Sequence, residues 1–199
     1  MPGPQYRGTH ASPRVCEKPP RHHVHTMSIV SSFHHRTLSG RPGQGAPKAT
    51  GPVLMVTTQG GHLAHLVAMR AWWESYERLW VCPGTPDVLD RLAGERVVRS
   101  YSPTTRNVPN LLRNCALALA VLRRERPSLL VSAGAGVAVP FFVAAWLLRI
   151  PTVFIEVYDR IDTPTMTGRL CGPFTTLRVV QWQSQLEFYP DAHLVGPLL

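Results

Sequence analysis

From Val53 onward, short continuous apolar runs alternate with longer stretches in which apolar residues recur every three or four positions. The run VLMVT at Val53 to Thr57 reads as a strand buried on both faces, and Gly60-Gly61 turns the chain after it. Leu63, Leu66, Val67, Met69, Ala71 and Trp73 then mark one face of a helix from His62 to Tyr76. Leu79 to Cys82 is a second strand, closed by Pro83-Gly84, with Thr85 capping a helix to about Leu92 and a third strand at Arg96 to Val98. Arg106 to Arg126 predicts a long helix with Leu111, Leu112, Cys115, Leu119 and Leu122 on one side, stopped by Pro127. Leu129 to Ser132 is a strand, Val137 to Leu148 an apolar helix ended by Pro151, and Thr152 to Glu156 another strand. Val179 to Trp182 and His193 to Val195 read as the last two. Strands separated by helices imply a Rossmann-like α/β domain, a doubly wound and mostly parallel sheet.

Residues 1–50 lack this pattern. They hold seven of the prolines, six of the nine histidines and seven basic residues against Glu17 alone, a net of +6. Such a segment buries too little apolar surface to offset the entropy of ordering, so it reads as a disordered tail. It carries no secretory signal, since no apolar stretch precedes a small-residue cleavage site. A translation start at Met27 is an alternative, and His22, His23 and His25 could gather a divalent metal. The division expected is therefore a tail over 1–50 and one domain over 51–199, as a 199-residue chain allows.

Of the formal net charge of +9, the domain keeps only +3, so the polyanion affinity implied by the total belongs mostly to the tail, and nucleic acid is not the expected partner. Cys16, Cys82, Cys115 and Cys171 show no metal-ligand spacing, and no metal is expected in the domain.

Ligands of doubly wound sheets bind at the carboxyl ends of the strands. Gly60-Gly61-His62, Ser132-Ala133-Gly134 and Glu156 all fall at such ends and should line one crevice. Side-chain-free turns let backbone N–H groups and the positive end of the next helix approach an anion, and Ser132 to Gly136 repeats the arrangement of Gly60-Gly61. TTQGGH is neither GxGxxG nor a P-loop, so no nicotinamide, nucleoside triphosphate or other cofactor is expected. His62 at the mouth of a helix could take a proton from a hydroxyl, cap the helix, or donate to a phosphate. Glu156 could be a base, a ligand for sugar hydroxyls, or the ion-pair partner of Arg160.

The apolar helix Val137 to Leu148 spans roughly 18 Å, short of the ~30 Å hydrocarbon core, and reads as packed on the sheet. The helix from Arg106 to Arg126 carries five arginines and one glutamate beside an apolar face, a composition suited to lying on anionic lipid.

The sequence from Arg106 to Leu170, followed by VVQW, YP and GPL, resembles bacterial exopolysaccharide glycosyltransferase subunits of the PssD/CpsF/EpsE type. These are relatives of the eukaryotic Alg-fourteen anchor subunit of a two-chain UDP-N-acetylglucosamine transferase. The likeness covers residues 53–199 and rests on the GGH turn at Gly60 to His62, the SxGAG turn at Ser132 to Gly136, the IE-x-YDR segment at Ile155 to Arg160, and Gln181-Trp182. The turn reads TQGGH where SGGH-like versions are usual, and a polar basic segment stands where eukaryotic anchors commonly begin with a hydrophobic helix.

The resemblance implies the amino-terminal half of a split GT-B glycosyltransferase, similar to MurG. That half receives a polyprenyl-diphosphate-linked sugar, and an Alg-thirteen-like partner binds the UDP-sugar. By the family pattern Gly60, Gly61 and His62 would hold the acceptor diphosphate, with His62 a candidate base. Glu156 and Arg160 would sit at the inter-subunit cleft, lined by Ser132, Gly134 and Gly136. The implied place is peripheral, on the cytoplasmic face of a membrane. The alternative is a non-catalytic scaffold that recruits the transferase.

Overall fold

The computed structural model describes residues 28–35, 51–104 and 106–199. Among these, seven strands form one wholly parallel sheet in the order β3-β2-β1-β4-β5-β6-β7. The strands are β1 (Gly51–Val56), β2 (Arg78–Cys82), β3 (Val97–Arg99), β4 (Pro127–Ser132), β5 (Thr152–Ile155), β6 (Leu177–Val180) and β7 (His193–Leu194). The helices are α1 (28–35), α2 (Gly61–Ala68), α3 (Arg70–Trp73), α4 (Pro86–Arg91), α5 (Val108–Glu125), α6 (Ala138–Leu147) and α7 (Met166–Cys171). The expected architecture is the observed one.

The apolar runs are continuous because the central strands are covered on both sides, as parallel sheets require. One face buries Val53, Met55, Trp80, Val131 and Val153 against α1, α2, α3 and the C-terminal Val195 and Leu198. The other buries Leu54, Val56, Leu130 and Phe154 against Ala118, Val121 and Leu122 of α5, Phe141 and Phe142 of α6, and Cys171 of α7. From β1 the chain moves outward through β2 and β3, then returns to place β4 on the opposite flank of β1. That reversal opens a crevice between the carboxyl ends of β1 and β4.

Three expectations are corrected. The helix expected over 62–76 breaks at Met69, because the Trp73 indole donates to the Leu66 carbonyl (2.7 Å), which an unbroken helix would offer to the Arg70 N–H. Within the segment read as a tail, residues 28–35 are helical, with Val30 buried in the core and His34 bonded to Ser128 Oγ (3.0 Å). The rest of that tail, with His22, His23, His25 and the alternative start Met27, lies outside the described residues. In α5, Leu111 and Leu112 are exposed, while Asn110 and Asn114 turn inward. Asn114 accepts the Tyr101 N–H and donates to the Tyr101 carbonyl, both at 3.0 Å, and Asn110 donates to Pro103 O at 3.1 Å. The asparagines anchor the loop before α5, and their geometry overrides the apolar stripe.

No helix among the described residues is long and apolar enough to cross a membrane.

Candidate functional site

An open crevice of about 640 Å³ lies where the reversal of strand order places it. Thr58, Gly61, His62 and His65 line one wall, Thr104, Ala135 and Gly136 the floor, and Val157 to Arg160 with Thr165 to Thr167 the other wall. Gly60 takes φ 73° just before α2, a positive-φ conformation that turns the short 57–60 connection from β1 into the helix. No side chain caps α2, so its first N–H groups point toward the crevice mouth without a side-chain acceptor.

The second glycine turn meets the first through His62. Its Nδ1 lies 2.9 Å from the Ala133 carbonyl, which can only accept, so in the neutral ring Nδ1 carries the proton and Nε2 is the basic nitrogen. Ser132 is fully buried; its hydroxyl accepts the Gly134 N–H (3.0 Å) and donates to the Gly134 carbonyl (3.1 Å). Gly134 packs against the His62 ring, since a Cβ there would lie 3.4 Å from Cε1. At Gly136 a Cβ would lie 2.9 Å from the Thr104 carbonyl, so only glycine lets the Asn-anchored loop close over the turn.

Of the residues singled out in the sequence, Gly61, His62, Gly136 and Arg160 reach the crevice. Gly60, Ser132 and Gly134 shape it from behind. Glu156 is a correction on all three of its readings. It ends a strand covered on both faces and is fully buried. Its carboxylate accepts from Tyr189 Oη (2.8 Å), Thr165 Oγ1 (2.9 Å) and the Val157 N–H (3.2 Å). Gly168 approaches so closely that a Cβ would sit 2.6 Å from both Glu156 Oε2 and Tyr189 Oη. The carboxylate faces neither the crevice nor Arg160; it pins the start of α7 beneath the wall.

Three further polar residues hold the crevice walls, His65, Gln181 and Gln185, all buried. His65 stood in view, one helical turn after His62. Gln181 was visible only within the Gln181-Trp182 motif and Gln185 not at all, because their partners are backbone atoms 25 residues distant. Among the described residues no cluster of side chains could hold a metal ion.

The crevice thus offers an open helix N-terminus, a histidine with its basic nitrogen directed by a backbone carbonyl, Arg160 beside Asp159, and Thr58, Thr104 and Thr167 in its lining. Those groups suit an anion joined to a polyhydroxylic group.

Comparison with known proteins agrees. The model of the family described as "Oligosaccharide biosynthesis protein Alg14 like" matches residues 93–198. The UDP-N-acetylglucosamine transferase subunit ALG14 of Homo sapiens is 27% identical over 117 residues, 56% of this chain and 53% of that one. The subunit of the same name from Yarrowia lipolytica is 25% identical over 182 residues, 77% of this chain and 84% of its own length. MurG of Acinetobacter baumannii has a TM-score of 0.54 at 18% identity, covering 66% of this chain and 42% of MurG, which shows a shared Rossmann-like domain of the GT-B amino-terminal type. The chain spans about half the length of the human relative and less than half of MurG.

Proposed function

This chain belongs to the Alg14-like family of oligosaccharide biosynthesis proteins, and from that premise we propose that it is the acceptor-binding subunit of a two-chain glycosyltransferase. It binds a polyprenyl-diphosphate-linked sugar in the crevice, and a nucleotide-sugar-binding partner similar to Alg-thirteen completes the active site from across it. The observation that carries the reading is His62. Its Nδ1 is committed to Ala133 O on a ring that lines the crevice beside the open end of α2.

The diphosphate rests on the amide groups at Gly61 and the α2 N-terminus, with Arg160 on the opposite wall as counter-charge. Nε2 of His62 takes the proton from the attacking hydroxyl of the acceptor sugar as that oxygen bonds to the anomeric carbon of the UDP-sugar. The bond from that carbon to the UDP oxygen breaks, UDP departs with the electron pair, and the configuration inverts. The Ala133 carbonyl holds the ring in the tautomer this needs and stabilises the imidazolium that results.

The membrane contact follows from the corrected face of α5. Val108 and Leu112 are each 64% exposed, with Leu111 and Tyr101 beside them and Arg106 and Arg113 at the margin. Because Thr104 of the adjoining loop lines the crevice, an anionic leaflet touching this turn would present lipid headgroups at the crevice mouth. In this reading the subunit lies on an anionic membrane surface, at the cytoplasmic face that the family resemblance implies.

Replacing His62 by Ala tests the reading in the complex with the nucleotide-sugar-binding partner. Transfer should fall by about 10²–10⁴-fold, the range of a general base, while association with the partner is retained. Unchanged transfer would leave this chain as the non-catalytic scaffold.

A further inference from the structure

Val157 to Arg160 belong to the crevice wall opposite the glycine turn, and side chains hold the backbone of this loop, from Glu156 to Ile161, from outside. Gln181 Nε2 donates to the Glu156 carbonyl and Trp182 Nε1 to the Tyr158 carbonyl, both at 2.7 Å. Ser184 Oγ donates to the Ile161 carbonyl at 2.7 Å, and Gln185 Nε2 to the Arg160 carbonyl. Each bond satisfies a loop backbone group with a side chain from beyond β6, which leaves the loop's own side chains, Asp159 and Arg160 among them, to face the crevice.

One tie crosses to the opposite wall. The Tyr158 N–H donates to His65 Nε2 at 3.0 Å, and His65 Nδ1 lies 2.7 Å from the Gly61 carbonyl. A carbonyl can only accept and an amide N–H can only donate, so the ring must carry its proton on Nδ1 and none on Nε2. An imidazolium would set an N–H against the Tyr158 N–H. We infer that His65 is a positioning residue: its neutral ring clamps the Gly61 turn to the Tyr158–Arg160 loop and so fixes the width of the crevice that receives the lipid diphosphate.

The ligand class in that statement rests on the function proposed above; the clamp itself rests on geometry alone. The ionisable groups facing His65 are His62 on its own helix and Asp159 on the loop. Burial is the largest influence and holds the imidazole below its ordinary range. The Gly61 carbonyl and Asp159 oppose that shift, and His62 adds to it. The clamp is therefore closed at neutral pH and opens on acidification.

Two substitutions separate the ends of the clamp. His65→Asn keeps a donor near Nδ1 for Gly61 and removes the acceptor for Tyr158; His65→Gln carries an amide oxygen out toward the position of Nε2. Hydrogen exchange of the Tyr158 amide, in the full chain without donor or partner, reads the tie directly. Its protection factor should drop about fivefold to tenfold in His65→Asn, the loss of one hydrogen bond, and return substantially in His65→Gln. Binding of farnesyl diphosphate, a short lipid-diphosphate probe, should weaken by a similar factor in His65→Asn and recover in His65→Gln. In the wild type Tyr158 protection should fall as pH drops below about 6.5, and in His65→Asn it should be flat with pH. Equal Tyr158 protection in wild type and His65→Asn at every pH would overturn the clamp, as would probe affinity that ignores the change in protection. If farnesyl diphosphate fails to bind even the wild type while Tyr158 protection responds as stated, the clamp stands and the proposed ligand class falls.

Discussion

The two ends of the sheet are fastened by different chemistry. At the amino ends of the strands, side chains bind side chains. All five ion pairs found among the described residues lie there: Arg70–Glu74, Arg78–Glu95, Arg96–Glu77, Arg96–Glu125 and Arg124–Glu125. Around them Trp73 packs edge-on to Trp80 with Arg78 over its face at 4.7 Å, and His34 packs against Tyr76 with the rings tilted by 60°. At the carboxyl ends, the ties along the crevice walls run from side chain to backbone, with the buried Glu156–Tyr189–Thr165 group behind them as the exception. His62, His65, Gln181 and Gln185 hold loop carbonyls and amides, and the Arg160 guanidinium forms no ion pair among the described residues. A seal of paired side chains has no capacity left for a ligand. Loops held by their backbone keep their own side chains available. On the function proposed above, stability and binding fall to opposite edges of one sheet.

If that division holds, changes at the amino edge should lower stability and leave the crevice working in every molecule that remains folded. The largest effect is expected for Trp73→Ala. It removes a buried indole together with its aromatic and cationic contacts, and should destabilise the chain by about 3–5 kcal/mol in urea unfolding. Affinity for farnesyl diphosphate, corrected for the folded fraction, should stay within about twofold; a larger loss would mean that the two edges are coupled.

Acidification comes next. Burial, aided by the neighbouring His35, pushes His34 down to about 4 from an ordinary 6.5. Its neutral form is favoured in the folded chain, so the unfolded chain binds protons first as pH falls. Stability should be intact above about 6.5 and decline toward pH 4, by on the order of 3 kcal/mol from this group. His34→Gln should make that slope shallower without flattening it, because His65 titrates in the same direction. An unchanged slope would place the acid sensitivity at the crevice edge alone. Smallest should be Arg96→Ala. Arg96 and Glu77 are more than half exposed, and surface pairs of this kind contribute about 1 kcal/mol or less. A shift in melting temperature above about 4 °C would show that the amino-edge pairs act as a network.

The sequence reading placed the strands and the crevice well because both depend on local pattern. A run such as VLMVT has one use in a parallel sheet, and a glycine turn after it falls at the ligand-binding edge wherever the strand goes. The reading failed where a remote partner decided the outcome. Leu111 and Leu112 look like core until Asn110 and Asn114 find the backbone of residues 101 to 103. The break at Met69 depends on an indole seven residues away from the carbonyl it takes. Glu156 looks catalytic at a strand end until Tyr189 and Thr165 enclose it.

The chain alone therefore determined that a doubly covered parallel sheet would form, and that Gly60 to His62 and the turn after Ser132 would meet at one edge. Apolar periodicity and glycine act over a few residues, and packing turns them into architecture in few ways. Tertiary structure decided which of the polar residues at that edge would face a ligand and which would hold the frame. That choice depends on which donor finds which acceptor across 25 to 93 residues of chain. Such pairings leave no periodic trace, and a buried polar group accepts no position in which its bonds go unmade.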